Sequence, residues 1–295
     1  MLGKLINVTV LKDPLKAPHS AFDDPAEAIV HLLRRAGYNA ALTSNAIAQD
    51  ALNVVIGAGA PGTVALAELR GLLSNTKSVV FNFEQIDSGS FYLTDEYLGF
   101  LSERMFFDYN ETNILSLSRR YGMIKAIEFP VIPIPSASAA GSLKSISEKT
   151  KFLFYGALSK RRVELLRKLV AGGIDVDVAT DLYGDKLSAA IRSARAVLNL
   201  HFYENSSIFE TARCLRPASV GVSVLSETSV QPRCLNWANI GVLFSDPDSL
   251  VSGALSILAN PIECLRRAEK RNDLVADARW VAMCVDAINF AESEI

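Results

Sequence analysis

The sequence predicts an α/β protein of two doubly wound domains, each a parallel sheet covered by helices on both faces. Three observations carry that expectation. Short β-branched and aliphatic runs alternate with amphipathic helical stretches along most of the chain. A Ser-, Ala- and Pro-rich stretch interrupts the alternation near the middle. The length of 295 residues suits two domains of roughly 150 residues each.

In the first half, strands are expected over INVTVL (6–11), NAALT (39–43), LNVVIG (52–57), SVVFNF (78–83), MFFDY (105–109) and AIEFPVI (126–132). Helices are expected from Asp24 to Ala36, Thr63 to Leu73, Asp95 to Glu103 and Glu111 to Tyr121. The stretch Pro133 to Lys151 then breaks the pattern, giving a first domain over 1–135 and a linker over 136–150. The second domain, 151–280, opens on FLFYG (152–156), followed by a helix from Ser159 to Ala171 and a strand over 174–180. A helix from Asp185 to Ala194, the strand AVLNLHF (196–202) and a short helix from Ile208 to Leu215 come next, then strands over 220–226 and 240–245. Residues from Pro247 onward read as helical, and a helix over 281–295 is free to pack back on the first domain. Ligands of such folds bind at the carboxyl ends of the strands, here in a crevice expected between the two domains.

Lys and Arg number 30 against 32 Asp and Glu, a balance unlike that of a dedicated nucleic-acid binder. No run of about 18 apolar residues predicts a membrane span. The opening MLGKLINVTVLKDP lacks the apolar block of an export signal and reads as a first strand, so a cytoplasmic location is expected. Arg266, Arg267, Lys270 and Arg271 allow at most a peripheral contact with an anionic membrane. Cys214, Cys234, Cys264 and Cys284 form no close pair and read as free, buried thiols. With His19, His31 and His201 the only histidines, no metal-ligand spacing is available, and Asp175 and Asp177 read as structural residues on one face of a strand.

Four segments could carry chemistry. Gly57, Gly59 and Gly62 form G-x-G-x-x-G between a strand and a helix, with Glu84 at the end of the next strand, as a dinucleotide site requires. A tight turn is the competing reading, and Pro61 removes one N–H donor there. Lys160, Arg161 and Arg162 crowd the first turn of a helix, where the macrodipole favours anions. A bound phosphate would reconcile them; a solvated basic face is the alternative. The stretch from His201 to Arg213 leaves a strand, turns through polar residues and enters a helix capped by Ser206 or Ser207. Glu210 and Arg213 share a face of that helix, as a carboxylate for two ribose hydroxyls and a fork for a diphosphate, or as a plain surface ion pair. His19 lies in the loop after the first strand and could act as a base, while Asp23 or Asp24 reads as the N-cap of the following helix, with Pro25 at its first position.

The segments FLFYGALSKRR (152–162) and LNLHFYE through FETARCLRPASVGVSVLSE (198–227) resemble the nucleotide-sugar-binding domain of the GT-B glycosyltransferases, whose two Rossmann-like domains face each other across a cleft. FNFEQI (81–86) and FFDYNETN (106–113) look like the "NFEQ" and "DYS-N" segments of a bacterial group of that family. Residues 18–40 resemble its first acceptor-side loop and helix. The resemblance implies glycosyl transfer from a nucleoside-diphosphate sugar to a hydroxyl acceptor such as a glycan or lipid-linked saccharide, of hexosyltransferase type and without a metal or other cofactor. It implies that Glu210 binds the donor ribose, and that Arg213, Lys160 and Arg161 meet the diphosphate. Gly156 would admit the close backbone, and Ser206, Ser207 and Ile208 would offer helix N–H groups. His201 and Tyr203 join that donor site, and His19 is the implied base. Retaining members often carry two Glu separated by seven residues, whereas five separate Glu204 and Glu210. Two other functions fit parts of the sequence. One is an NAD- or FAD-dependent oxidoreductase using Gly57–Gly62. The other is a non-catalytic two-domain sugar binder, against which the missing export signal counts.

Overall fold

A computed structural model describes residues 3–13, 21–59, 65–134, 147–205 and 207–295, without the side chains of 264–269 and 271–272. The chain divides into two compact units. The first comprises Met1–Ile132, Pro232–Cys234 and Ala278–Ile295, the second Pro133–Gln231 and Leu235–Asp277.

The first unit holds a six-stranded parallel sheet in the order β2-β1-β3-β4-β5-β6. Its strands are β1 (Leu5–Val10), β2 (Asn39–Ser44), β3 (Leu52–Ile56), β4 (Ser78–Asn82), β5 (Phe106–Asp108) and β6 (Ala126–Glu128). Strands β3, β4 and β5 are buried along their whole length, as a sheet covered on both faces demands. Helices α1 (Asp23–Arg35), α2 (Leu66–Ser74), α3 (Asp95–Ser102) and α4 (Glu111–Tyr121) connect them. One core cluster joins Val55, Val80 and Phe106 of the sheet to Leu69, Phe100 and Leu117 of the helices. Each such fully buried side chain contributes roughly 1.5–3 kcal/mol. The expected aspartate cap of α1 is corrected: Phe22 holds the N-cap, and Asp23 and Asp24 lie in the first turn, favourably placed near the positive end of the dipole. Asp23 instead pairs with Lys12 at 2.8 Å.

The second unit holds a five-stranded parallel sheet in the order β11-β10-β9-β7-β8. It is built from β7 (Phe152–Tyr155), β8 (Val176–Ala179), β9 (Ala196–Asn199), β10 (Ser223–Glu227) and β11 (Val242–Ser245). Helices α5 (Lys160–Ala171), α6 (Gly184–Ser193), α7 (Thr211–Ser219), α8 (Leu250–Ala259) and α9 (Pro261–Ala276) belong to it, while α10 (Arg279–Glu294) belongs to the first unit and packs on α1. In both sheets the chain reverses its direction of winding once, between β1 and β3 and between β7 and β9. Those reversals open crevices at the carboxyl ends of the strands. Asp175 and Asp177 are exposed on or beside the edge strand β8, and Asp177 pairs with Lys151 at 3.1 Å. The linker expected over 136–150 lies largely outside the described residues. Among the described residues no helix is long and apolar enough to cross a membrane.

Candidate functional site

The β7–β9 crevice is flanked by the turn from Gly156 to Ser159 on one side and residues 200–210 on the other. Ser159 caps α5, its Oγ accepting from Arg162 N at 3.2 Å and donating to Phe202 O at 3.0 Å, which ties the two flanks together. The buried stripe of α5 runs through Arg162, Leu165, Leu166 and Leu169. An arginine thus occupies a core position, and a buried guanidinium requires a partner.

Glu210 is that partner. Arg162 Nη2 donates to both of its carboxylate oxygens at 3.0 Å, while Arg162 Nε and Nη1 reach Leu200 O and Ala157 O, each at 2.8 Å. Arg213 Nε donates to Glu210 Oε2 at 2.9 Å, and its Nη1 bonds Tyr155 O. Burial works to raise the Glu210 carboxyl, but the charges of Arg213 and Arg162 outweigh it and hold the group below the ordinary range. Burial lowers Arg162 to about 10 against the opposing pull of Glu210. A carboxylate offers about four acceptor positions. Three are taken here, one on Oε1 and two on Oε2, which leaves one acceptor position on Oε1.

A second ion pair lies beside the first. Arg161 forks onto Glu227, with Nη1 at 2.7 Å from Oε1 and Nη2 on Oε2, and Nη1 also reaches His201 O at 3.2 Å. Glu227 is 2% exposed and accepts from His201 N at 2.6 Å. Ser229 Oγ donates to Glu227 O at 2.7 Å, so His201 Nε2, 2.8 Å from that hydroxyl, carries the hydrogen. The hydrogen bonds that Arg161 donates to Glu227 raise Arg161 above its ordinary value. Three cations at one helix start are therefore reconciled partly by two buried carboxylates. Lys160 stays exposed.

Gly156 is required twice over. Its φ is +107°, and a Cβ there would lie 2.8 Å from Arg213 Nη1. Gly156→Ala is expected to cost roughly 1–2 kcal/mol from backbone strain alone, and more from displacing Arg213. Urea unfolding measures it, and a loss within error would refute the account.

The structure places the other expected residues less uniformly. Tyr203 packs edge-on against Phe202, with ring centres 4.7 Å apart, and Phe202 lies under the Arg162 guanidinium. Helix α7 starts at Thr211 rather than Ile208, with Glu210 at the N-cap. Ile208 instead bridges Val230, and Ser207 O accepts from Val230 N, so Ser207 does not cap the helix and Ile208 lies ahead of it. Ser206 and His19 lie outside the described residues, as does Gly62. Of the glycine loop, Gly57 has φ +87° and lies against Leu11 O, and a Cβ on Gly59 would meet the Tyr97 ring at 2.9 Å, so packing accounts for both. Cys214, Cys234 and Cys284 are free and buried.

Sequence reasoning counted Arg162 only as one of three cations at a helix start, without its carboxylate partner, and passed over Glu227. A signal for Arg162 existed, since it shares the i, i+3, i+4, i+7 stripe of α5 with three leucines. None existed for Glu227, which meets Arg161 only through strand order.

No family model matches the chain. Three curated relatives from Acanthamoeba polyphaga mimivirus do, two of which are described. Uncharacterized protein L137 is 28% identical over 118 residues, 39% of this chain and 16% of that protein. Uncharacterized protein L140 is 27% identical over 119 residues, 40% of this chain and 39% of that protein. The match thus spans well under half of either relative. Among solved structures, sucrose-phosphate synthase from Thermosynechococcus elongatus aligns with a TM-score of 0.59 at 12% identity over 98% of both chains. Anabaena HepE, in complex with UDP and glucose, gives 0.59 at 9% identity over 98% of this chain and 100% of its own. WaaG, a glycosyltransferase involved in lipopolysaccharide biosynthesis, gives 0.58 at 12% identity over 98% and 99%. Two parallel-sheet α/β units, matched to these proteins along nearly the whole chain, give this protein the GT-B fold.

Proposed function

We propose that the chain is a glycosyltransferase moving a sugar from a nucleoside-diphosphate sugar to a hydroxyl acceptor, a saccharide or a lipid-linked saccharide, without a metal ion. The arginine–glutamate cluster at the β7–β9 crevice carries the reading. Its three guanidinium groups exceed its two carboxylates by one positive charge, and exposed Lys160 adds another. Fixed positive charge beside a bare glycine suits a diphosphate, whose charge builds as the bond to the sugar breaks. In this reading Arg161, Arg213 and Lys160 face the diphosphate and Gly156 lets it approach. Glu210 Oε1 takes a ribose hydroxyl, while His201, Tyr203, Ser206, Ser207 and Ile208 line the donor. His19 is the proposed base. HepE was solved with UDP and glucose, which makes a uridine nucleotide the first candidate donor.

A thermal-shift screen of UDP, GDP, ADP, CMP, NAD(H) and FAD tests this. A ligand at a hundred times its Kd stabilises by about 2.7 kcal/mol, which raises Tm by roughly 5–10 °C for a domain of this size. One nucleoside diphosphate is expected to do so, and Arg213→Ala to abolish the shift. A response to NAD(H) or FAD alone would overturn the reading. Slow hydrolysis of the matching nucleotide sugar separates a transferase from a passive binder.

A further inference from the structure

Residues 229–234 lead from the candidate site into the first unit, and both ends of this segment are held. Its carboxyl end, Pro232–Cys234, belongs to the first unit, while the chain up to Gln231 belongs to the second. Pro232 is buried and Cys234 is 6% exposed, so this end is packed rather than loose on a surface.

The amino end holds one flank of the β7–β9 crevice. Ser229 Oγ lies 2.8 Å from His201 Nε2 and donates to Glu227 O at 2.7 Å. Val230 N donates to Ser207 O at 2.6 Å, and Val230 O accepts from Phe209 N at 3.1 Å. Phe209 immediately precedes Glu210, so these two backbone bonds fix the approach to the N-cap of α7. The carboxyl end is held by Glu128, the last residue of β6. Its Oε1 accepts from Cys234 N, and its Oε2 from the N–H of Glu111 at the start of α4, each at 3.2 Å. Glu111 Oε1 in turn pairs with Arg233 Nη1 at 2.5 Å. That pair is exposed and adds little, whereas N–H bonds to a carboxylate are charge-assisted and strong. Only Gln231 stands between Val230 and Pro232, and its side chain accepts from Trp237 N at 2.8 Å. A chain extends by at most about 3.6 Å per residue, so slack at one hold is felt at the other.

We propose that residues 229–234 form a strap through which Glu128 of the first unit positions the crevice flank at His201 and 207–210. Glu128 is a positioning residue that acts through the strap. That the flank holds a sugar donor rests on the glycosyl-transfer reading; the strap itself does not.

The test follows both ends of the strap in the full chain. Burial pushes the Cys234 thiol up to about 12, so it reacts slowly while the strap is docked. Iodoacetamide labelling, mapped by peptide mass spectrometry, reads that end. Amide hydrogen exchange over 207–211, which includes Phe209 N, reads the crevice end. Glu128→Ala is expected to speed Cys234 labelling about tenfold or more, as loss of a charge-assisted hydrogen bond implies. Exchange over 207–211 should quicken with it, while labelling of Cys284 and exchange over β4 stay as in wild type. Glu128→Gln can accept at only one of the two positions, so it should give a smaller effect at both ends. That variant decides the question if Glu128→Ala unfolds. Unchanged Cys234 labelling would show that Glu128 is not the anchor. Faster labelling with unchanged exchange over 207–211 would show an anchor that transmits nothing. Either result overturns the proposal, and neither touches the nucleotide reading, which fails only in the nucleotide screen.

Discussion

Glu210→Ala is expected to destabilise the second unit by about 3–5 kcal/mol, the usual cost of stranding a buried charge. The carboxylate lies between Arg162, which is 2% exposed, and Arg213, so its loss leaves two guanidinium groups facing each other without a counter-charge. Adding Arg162→Met to Glu210→Ala should recover part of the loss, because the apolar stem suits the leucine stripe of α5 and removes one stranded charge. The measurement is convenient: the two tryptophans are both buried, Trp237 in the second unit and Trp280 in the first. Urea unfolding of a Trp280→Phe background, followed by fluorescence, reports the second unit alone. Equal midpoints for the parent and Glu210→Ala would show that the triad is not what holds this crevice together.

The second large effect is a pH dependence in the first unit. Burial raises Asp108 to about 8 despite hydrogen bonds from Asn82, Asn113 and Asn110 that favour its charged form. An unfolded aspartate releases its proton near pH 4, so between about 4 and 8 the folded chain binds a proton that the unfolded chain has lost. Stability therefore falls as pH rises through that window, by several kcal/mol on the order of three to five. Glu84 contributes in the same direction up to about 7. Glu210, held below its ordinary value, works the other way, but its effect is complete above the ordinary carboxylate range. In a Trp237→Phe background the urea midpoint of the first unit should be higher at pH 5 than at pH 8. Asp108→Asn should flatten that slope whatever it does to absolute stability. Parallel slopes in the two proteins would exclude Asp108 as the source.

The strand order of neither sheet is written in the sequence, yet the alternation of apolar runs and helices already implied parallel sheets, because a strand buried on both faces carries no alternating polar residues. What resisted reading were elements decided at long range. Ile208 fits a helix by pattern, but pairing with Val230 takes its backbone and delays α7 to Thr211. Glu227 and Arg161 are 66 residues apart and meet because β10 lies next to β9. Glu210 and Arg213 were legible from local spacing alone, whereas Arg162, which completes their cluster, required treating an arginine on a leucine stripe as a statement about charge. The Asn82, Asp108 and Asn113 network entered only through family-like segments, since nothing in spacing distinguishes a buried asparagine from an exposed one.

Helix α10 has a consequence for how the molecule forms. Its residues Cys284, Ala287, Ile288 and Ala291 are 0% exposed, and Lys125 pairs with Glu294 at 3.2 Å. The ribosome makes this helix after every residue of the second unit, so the first unit must wait, its α1 face uncovered, while more than a hundred intervening residues are synthesised and fold. The first unit to begin is thus the last to finish, and removing 279–294 should leave a nascent chain that holds chaperones on α1.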